Sequence, residues 1–186
     1  MAAELSIYVS AAREMDAECE LLGQMLANMA RSLRWTIKRT PAPGEVANPD
    51  LEALANSHFY LILIGIDITA PVGVEWRAAQ EAGVTTYAFR NVERISSPAA
   101  AVFVHHVEAR WVPYHTPHEF VRLFERRLID RLLEGTPGYG LDLADLEELS
   151  LRRRALEKEE QAEAEGEERR GAGSGGVILA ANQGRQ

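Results

Sequence analysis

The chain holds one cysteine, Cys19, in 186 residues, which excludes an internal disulfide and a cysteine zinc cluster. Cys19 falls on the apolar side of a predicted helix and reads as a plain buried thiol. No apolar run approaches the roughly 20 residues that a bilayer span requires, and the run Phe59–Ile64 is only strand-sized. The opening Met1-Ala2-Ala3-Glu4 lacks the cationic and apolar regions of a secretory signal, so a cytoplasmic protein with no membrane partner is expected. Also missing are a Walker A loop, a Rossmann glycine fingerprint and a Gly-x-Ser-x-Gly elbow, the commonest signatures of NTPases, dehydrogenases and hydrolases. Positive charge is in short supply as well. A net charge of −8 argues against a nucleic-acid partner, because such proteins concentrate Lys and Arg on one face.

What remains is an ordinary globular composition, 46% apolar and 26% charged, at a length that suits one domain with an appendage. The acidity is uneven. Residues 1–140 carry 17 acidic and 13 basic side chains, whereas residues 141–170 carry 11 and 6. The near-balanced body leaves a small anionic metabolite admissible, provided that helix dipoles and arginines receive it.

Up to residue 134, short runs rich in β-branched and aromatic residues alternate with segments of helical period, which implies a parallel sheet. Strands are expected at Leu5–Ser10, Trp35–Arg39, Phe59–Ile64, Thr85–Phe89 and Val107–Val112. Helices are expected at Glu14–Leu33, from Asn48-Pro49 to Asn56, and from Pro71 to Ala82. Ser96–His106 reads as a loop with one helical turn. Thr116-Pro117-His118-Glu119 is a capping box that opens a helix striped by Phe120, Leu123, Phe124, Leu128 and Leu132.

Five β/α units of this size predict a flavodoxin-like, three-layer α/β sandwich with a five-stranded parallel sheet ordered 2-1-3-4-5. The domain is expected to span 1–134, followed by a linker at 135–141, a charged helix at 142–166 and a flexible tail at 167–186. That helix reads as solvated or partly docked; a partner-binding helix is the alternative.

In such a sheet, ligands bind where the strand order reverses, at the carboxyl ends of strands 1 and 3. Ser10, Ala11, Ala12 and Arg13 would line one side of that crevice, and Gly65 to Thr69 the other. Gly73, in the first turn of the following helix, leaves its backbone open to an anion. Glu75 follows within a turn. A partly desolvated carboxylate there is the minimal equipment for stabilising a ribosyl cation as an N-glycosidic bond breaks; alternatively it only complements the helix dipole. Arg13 either binds a pyrophosphate or is a surface residue. Ser10 and Thr69 either hydrogen-bond a ribose or phosphate or cap helices. Asp67 either holds ribose hydroxyls or makes an Asx-turn. Tyr8 and Trp76 read as packing groups. His105, His106, His115 and His118 lack acidic or cysteine partners at ligand spacing, so no metal is expected.

Ile7-Tyr8-Val9-Ser10-Ala11-Ala12-Arg13-Glu14-Met15-Asp16-Ala17-Glu18 resembles the opening of a TIR-like domain family found ahead of bacterial signalling NTPases. In that family a Ser-Ser pair ends the first strand, an Arg-Asp-Met turn follows, and a Glu comes three residues later; here Ala11 stands at the second serine. Leu63-Ile64-Gly65, Val72-Gly73-Val74-Glu75-Trp76 and Ala82-Gly83-Val84 are similar to the family's strand, Glu-aromatic helix start and helix end. The resemblance covers most of residues 5–133. It extends in architecture to TIR domains that cleave NAD at the nicotinamide–ribose bond and to nucleoside deoxyribosyltransferase-like proteins. It implies a bacterial signalling or defence effector, an NAD nucleosidase in which Glu75 is catalytic. Ser10 and Arg13 would border the nucleotide, with Gly65, Asp67, Thr69 and Gly73 completing its site. NAD would be substrate and no cofactor would be required. Self-association or a separate regulator protein is the implied partner. The alternative is a non-catalytic TIR-like interaction module.

Overall fold

The computed structural model describes residues 3–30, 33–41, 48–135 and 138–171. Its elements are β1 (Ala3–Ala11), α1 (Asp16–Ala27) after a 3-10 turn at Arg13–Met15, β2 (Leu33–Arg39), α2 (Leu51–Ala55), β3 (Phe59–Ile64), α3 (Ala70–Ala82), β4 (Thr85–Asn91), α4 (Pro98–His106), β5 (Trp111–Tyr114), α5 (Pro117–Glu134) and α6 (Leu143–Gly171). The strands form one parallel sheet in the order β2-β1-β3-β4-β5, the flavodoxin-like arrangement expected from the alternation. Among the described residues no helix is long and apolar enough to cross a membrane.

Side-chain alternation along the strands divides the core into two layers. Leu5, Ile7 and Val9 of β1 and Phe59, Leu61 and Leu63 of β3 pack with Leu22 and Leu26 of α1 and with Phe120, Phe124 and Leu128 of α5. Tyr8, Tyr60, Ile62 and Ile64 face the other way, toward Leu54 of α2, Val72 and Trp76 of α3 and Ala100 of α4. All six residues of β3 are buried, as a strand covered on both faces requires.

Several boundaries differ from expectation, the main ones for local reasons. The first long helix stops at Ala27 because Asn28 turns its side-chain amide back onto the Gln24 carbonyl. Leu33, whose spacing continues the helical period, is instead the buried first residue of β2, opposite Ala3. The cap of α2 is Asp50, whose carboxylate accepts from the Ala53 N–H, rather than Asn48. Ser96–His106 is not a loop with one turn. Ser97 caps it through the Ala100 N–H and Pro98 occupies the first turn, so it forms the full helix α4. Val107 then caps that helix, which displaces the last strand from Val107–Val112 to Trp111–Tyr114. Pro113 is tolerated there because β5 lies at the sheet edge.

The acidic helix α6 docks on α5 along a narrow stripe. Leu149 and Leu156, 0% and 1% exposed, join the same core as Phe120 and Phe124. Between them Arg152 grips Glu125 with two hydrogen bonds of 2.7 and 2.8 Å, while Arg153 pairs with Asp130 and Arg126 with Glu160. Tyr139, just before α6, packs its ring on Phe59 at 5.4 Å. Helix α6 runs to Gly171, five residues past the end expected at 166, so residues 167–171 are helix rather than tail; the rest of the expected tail lies outside the described residues. Cys19 is half-buried, and burial pushes its thiol up to about 11.

Candidate functional site

The crossing from β1 to β2 and back to β3 puts the reversal of strand order at β1 and β3. Their register sets Tyr8 opposite Tyr60 and Ser10 opposite Ile62. Tyr8 and Ser10, two apart on β1, therefore share a face, and that face looks toward α3. The phenols of Tyr8 and Tyr60 and the Ser10 hydroxyl on this buried face must find partners, since an unpaired buried hydroxyl costs about 1–3 kcal/mol.

Glu75 supplies the common acceptor. Its side chain is wholly buried, 0% exposed. Oε1 accepts from the Tyr8 hydroxyl at 2.8 Å, and Oε2 accepts from the hydroxyls of Ser10 at 2.5 Å and Thr40 at 2.6 Å. Each proton is used once. Ser10 in turn accepts from the Tyr60 hydroxyl at 2.8 Å, and Thr40 accepts from the Ala11 N–H at 3.3 Å. Thr40 is itself fixed by its N–H to the Val9 carbonyl, 3.0 Å away, which extends the β1–β2 ladder past Arg39. Burial, and after it the Glu75 carboxylate, pushes the Tyr8 phenol far above its ordinary range, so it remains a donor. Burial does the same to Tyr60.

A second network binds the loops above this cluster. Glu14 Oε1 accepts from the backbone N–H groups of Ile66 and Asp67, 3.2 and 3.1 Å away, and so ties the turn after β1 to the loop after β3. Arg94 donates to the Glu14 carbonyl at 2.8 Å. Asp67 accepts from the Ser97 hydroxyl at 2.6 Å and from the Ile68 N–H at 2.8 Å; these two bonds hold its carboxyl below the usual range.

The structure therefore sorts the residues proposed from sequence. Ser10 meets Glu75 directly. Asp67 is exposed and engaged with the cap of α4. Gly65 is buried against Met15, and a Cβ built on it would lie 2.7 Å from the Met15 sulfur. Gly65→Ala is expected to lower stability by about 1–2 kcal/mol as Met15 shifts, read from the urea midpoint; an unchanged midpoint would show that the loop yields freely. Thr69 stands at the N-cap of α3, but its hydroxyl makes no capping bond and is buried without a partner. A Cβ at Gly73 would meet nothing within 4 Å, so packing does not demand glycine there. Arg13 is exposed on the 3-10 turn.

Sequence reasoning missed Tyr8, Thr40 and Tyr60 around Glu75 and Glu14 between the loops. The signal for the two tyrosines was available. Tyr8, Ser10 and Tyr60 are hydroxyl groups on the otherwise apolar inner strands of a parallel sheet, and such groups need a buried acceptor. Thr40 and Glu14 have no comparable signal, because only tertiary folding brings them to their partners. No protein-family model matches the chain, and no curated protein matches it significantly.

Proposed function

We propose that this chain is a TIR-like effector that binds NAD or a related nucleotide at the carboxyl ends of β1 and β3 and cleaves its N-glycosidic bond. One observation carries the reading: a wholly buried carboxylate at the switch point of the sheet, held by hydroxyls from β1 and from the end of β2. Such a cluster is a poor way to gain stability, because apolar side chains of similar volume fill a core at lower desolvation cost. Costly polar groups of this kind concentrate where chemistry is done.

In the proposed reaction the C1′–N bond breaks and its electron pair leaves with the base. Water adds its oxygen to C1′ and releases a proton to solvent. Glu75 offsets the positive charge on the ribosyl carbon. The ribose hydroxyls would take over acceptor sites on Glu75 that Ser10 and Thr40 now occupy. Arg13, exposed at the same rim, would meet a phosphate, and the helix start near Gly73 would assist. The resemblance of residues 7–18 and 59–89 to the TIR-like family supports this choice of substrate class.

Concentrated protein incubated with NAD is expected to release nicotinamide, followed by product chromatography, and Glu75→Gln is expected to reduce the rate by about 100-fold or more. Equal release from both proteins would remove Glu75 from the mechanism. No release from the wild type would favour the second reading, a non-catalytic interaction module. The complete burial of Glu75, with both oxygens bonded by the chain's own hydroxyls, is the observation on that side.

A further inference from the structure

A second polar cluster lies at the other flank of the sheet, and unlike the one at Glu75 its groups are left unpaired. β5 pairs with β4 only from Ala88 onward, so Thr85–Tyr87 has no strand beside it on that edge. There the sheet opens into a cleft of about 270 Å³ between α3 and α5. Trp76 and Tyr87 supply aromatic lining from the two faces of the sheet, Arg110 and Arg127 supply positive charge, and among the described residues the exposed Glu108 is the one acidic lining residue.

Two of these groups are unfinished. The Tyr87 hydroxyl is buried and has no hydrogen-bond partner, and burial holds its phenol in the protonated, donating form. Arg127 is half-buried, yet among the described residues no carboxylate comes within ion-pair distance of it, whereas its neighbour Arg126 has Glu160. Burial, then the nearby charge of Arg110, lowers the Arg127 pKa, the direction expected of a cation short of counter-charge. A desolvated guanidinium beside a second cation is costly, and so is an orphaned phenol; an anion seated between them would relieve both.

We propose that this cleft binds a small organic anion, a carboxylate or phosphate monoester carried on a single aromatic ring. The head group would lie against Arg127 and Arg110 and accept a hydrogen bond from Tyr87, while the ring would reach round the open sheet edge to pack on Trp76. The volume sets the size of the ligand: about 270 Å³ falls just below the usual range of small-molecule sites and suits one ring rather than a dinucleotide. The site is independent of the Glu75 cluster.

The test is calorimetric titration of the full chain with benzoate, phenyl phosphate and the neutral benzyl alcohol. Saturable binding of benzoate or phenyl phosphate is expected, with benzyl alcohol at least about tenfold weaker. Arg127→Gln is expected to weaken the anion by about 10- to 100-fold, and Glu108→Gln to tighten it about twofold. Tyr87→Phe removes an unsatisfied group, so it should fold at least as stably as the wild type while binding the anion several-fold more weakly. The proposal fails if neither aromatic anion binds saturably up to about 10 mM, the weak limit for a specific small-ligand site. It fails equally if Arg127→Gln leaves the affinity unchanged or if benzyl alcohol binds as well as benzoate.

Discussion

Replacing Leu149 and Leu156 together by alanine is expected to lower stability by about 4 kcal/mol or more, because each deletes a buried leucine and leaves a cavity. For a chain of this length that corresponds to a fall in Tm of roughly 8–16 °C. Both side chains belong to the core cluster of Phe120, Phe124 and Leu128, and they are the apolar centre of the contact between α6 and α5. Flanking ion pairs do not compensate. The pairs of Arg153 with Asp130 and Glu157 are partly exposed and each contributes at most about 1 kcal/mol. Leu143 and Leu151, on the outer face at 73% and 65% exposure, serve as controls whose alanine variants should stay within about 0.5 kcal/mol. A double variant melting within 2 °C of the wild type, about the resolution of such scans, would mean that α6 is an appendage.

Removing the acceptor at position 75 should be almost as damaging. Glu75→Ala leaves the hydroxyls of Tyr8, Ser10 and Thr40 without their common partner and opens a cavity beside them. The combined loss is expected to be about 3–5 kcal/mol. Glu75→Gln keeps the volume and one carbonyl acceptor, and Ser10 or Thr40 can rotate to accept from the new amide, so its loss should be about 1–2 kcal/mol. Urea unfolding of the two variants separates these cases through their midpoints. An alanine variant as stable as the glutamine variant would show that the hydroxyls re-pair among themselves, with Ser10 turning to Tyr60. The smaller loss is also what makes Glu75→Gln the proper variant for the nicotinamide assay, since it keeps the rim assembled.

How much of this was legible beforehand depended on whether the relevant force is local. The run Phe59–Ile64 can only be a strand buried on both sides, and the box from Thr116 to Glu119 opens α5 as read, with the Glu119 N–H bonded to Thr116. In the structure the Glu119 carboxylate reaches back one residue further, to the His115 N–H at 2.7 Å. Boundaries were misread where apolar spacing ran on past a local stop. Leu33 keeps the helical period although Asn28 has already ended the helix, and Val107 looks like strand although it closes α4. The partly docked reading of α6 holds along a narrower seam than the spacing of Leu143, Leu146, Leu149 and Leu156 implies, since only Leu149 and Leu156 among the leucines of α6 are fully buried.

By itself the sequence determined the five β/α units and the two-sided burial of the sheet, because hydrophobic period and helix capping act over a few residues; right-handed crossovers then give the strand order and place one carboxylate in the second turn of α3. It did not determine what surrounds that carboxylate. Thr40 and Glu75 are 35 positions apart and Tyr8 and Glu75 are 67 apart, so their meeting is decided by parallel register and by the packing of α3 on β1. The same holds for the cleft at Arg127: it exists because β5 starts three residues too late to cover β4, a mismatch of strand lengths that arises only when the sheet is assembled.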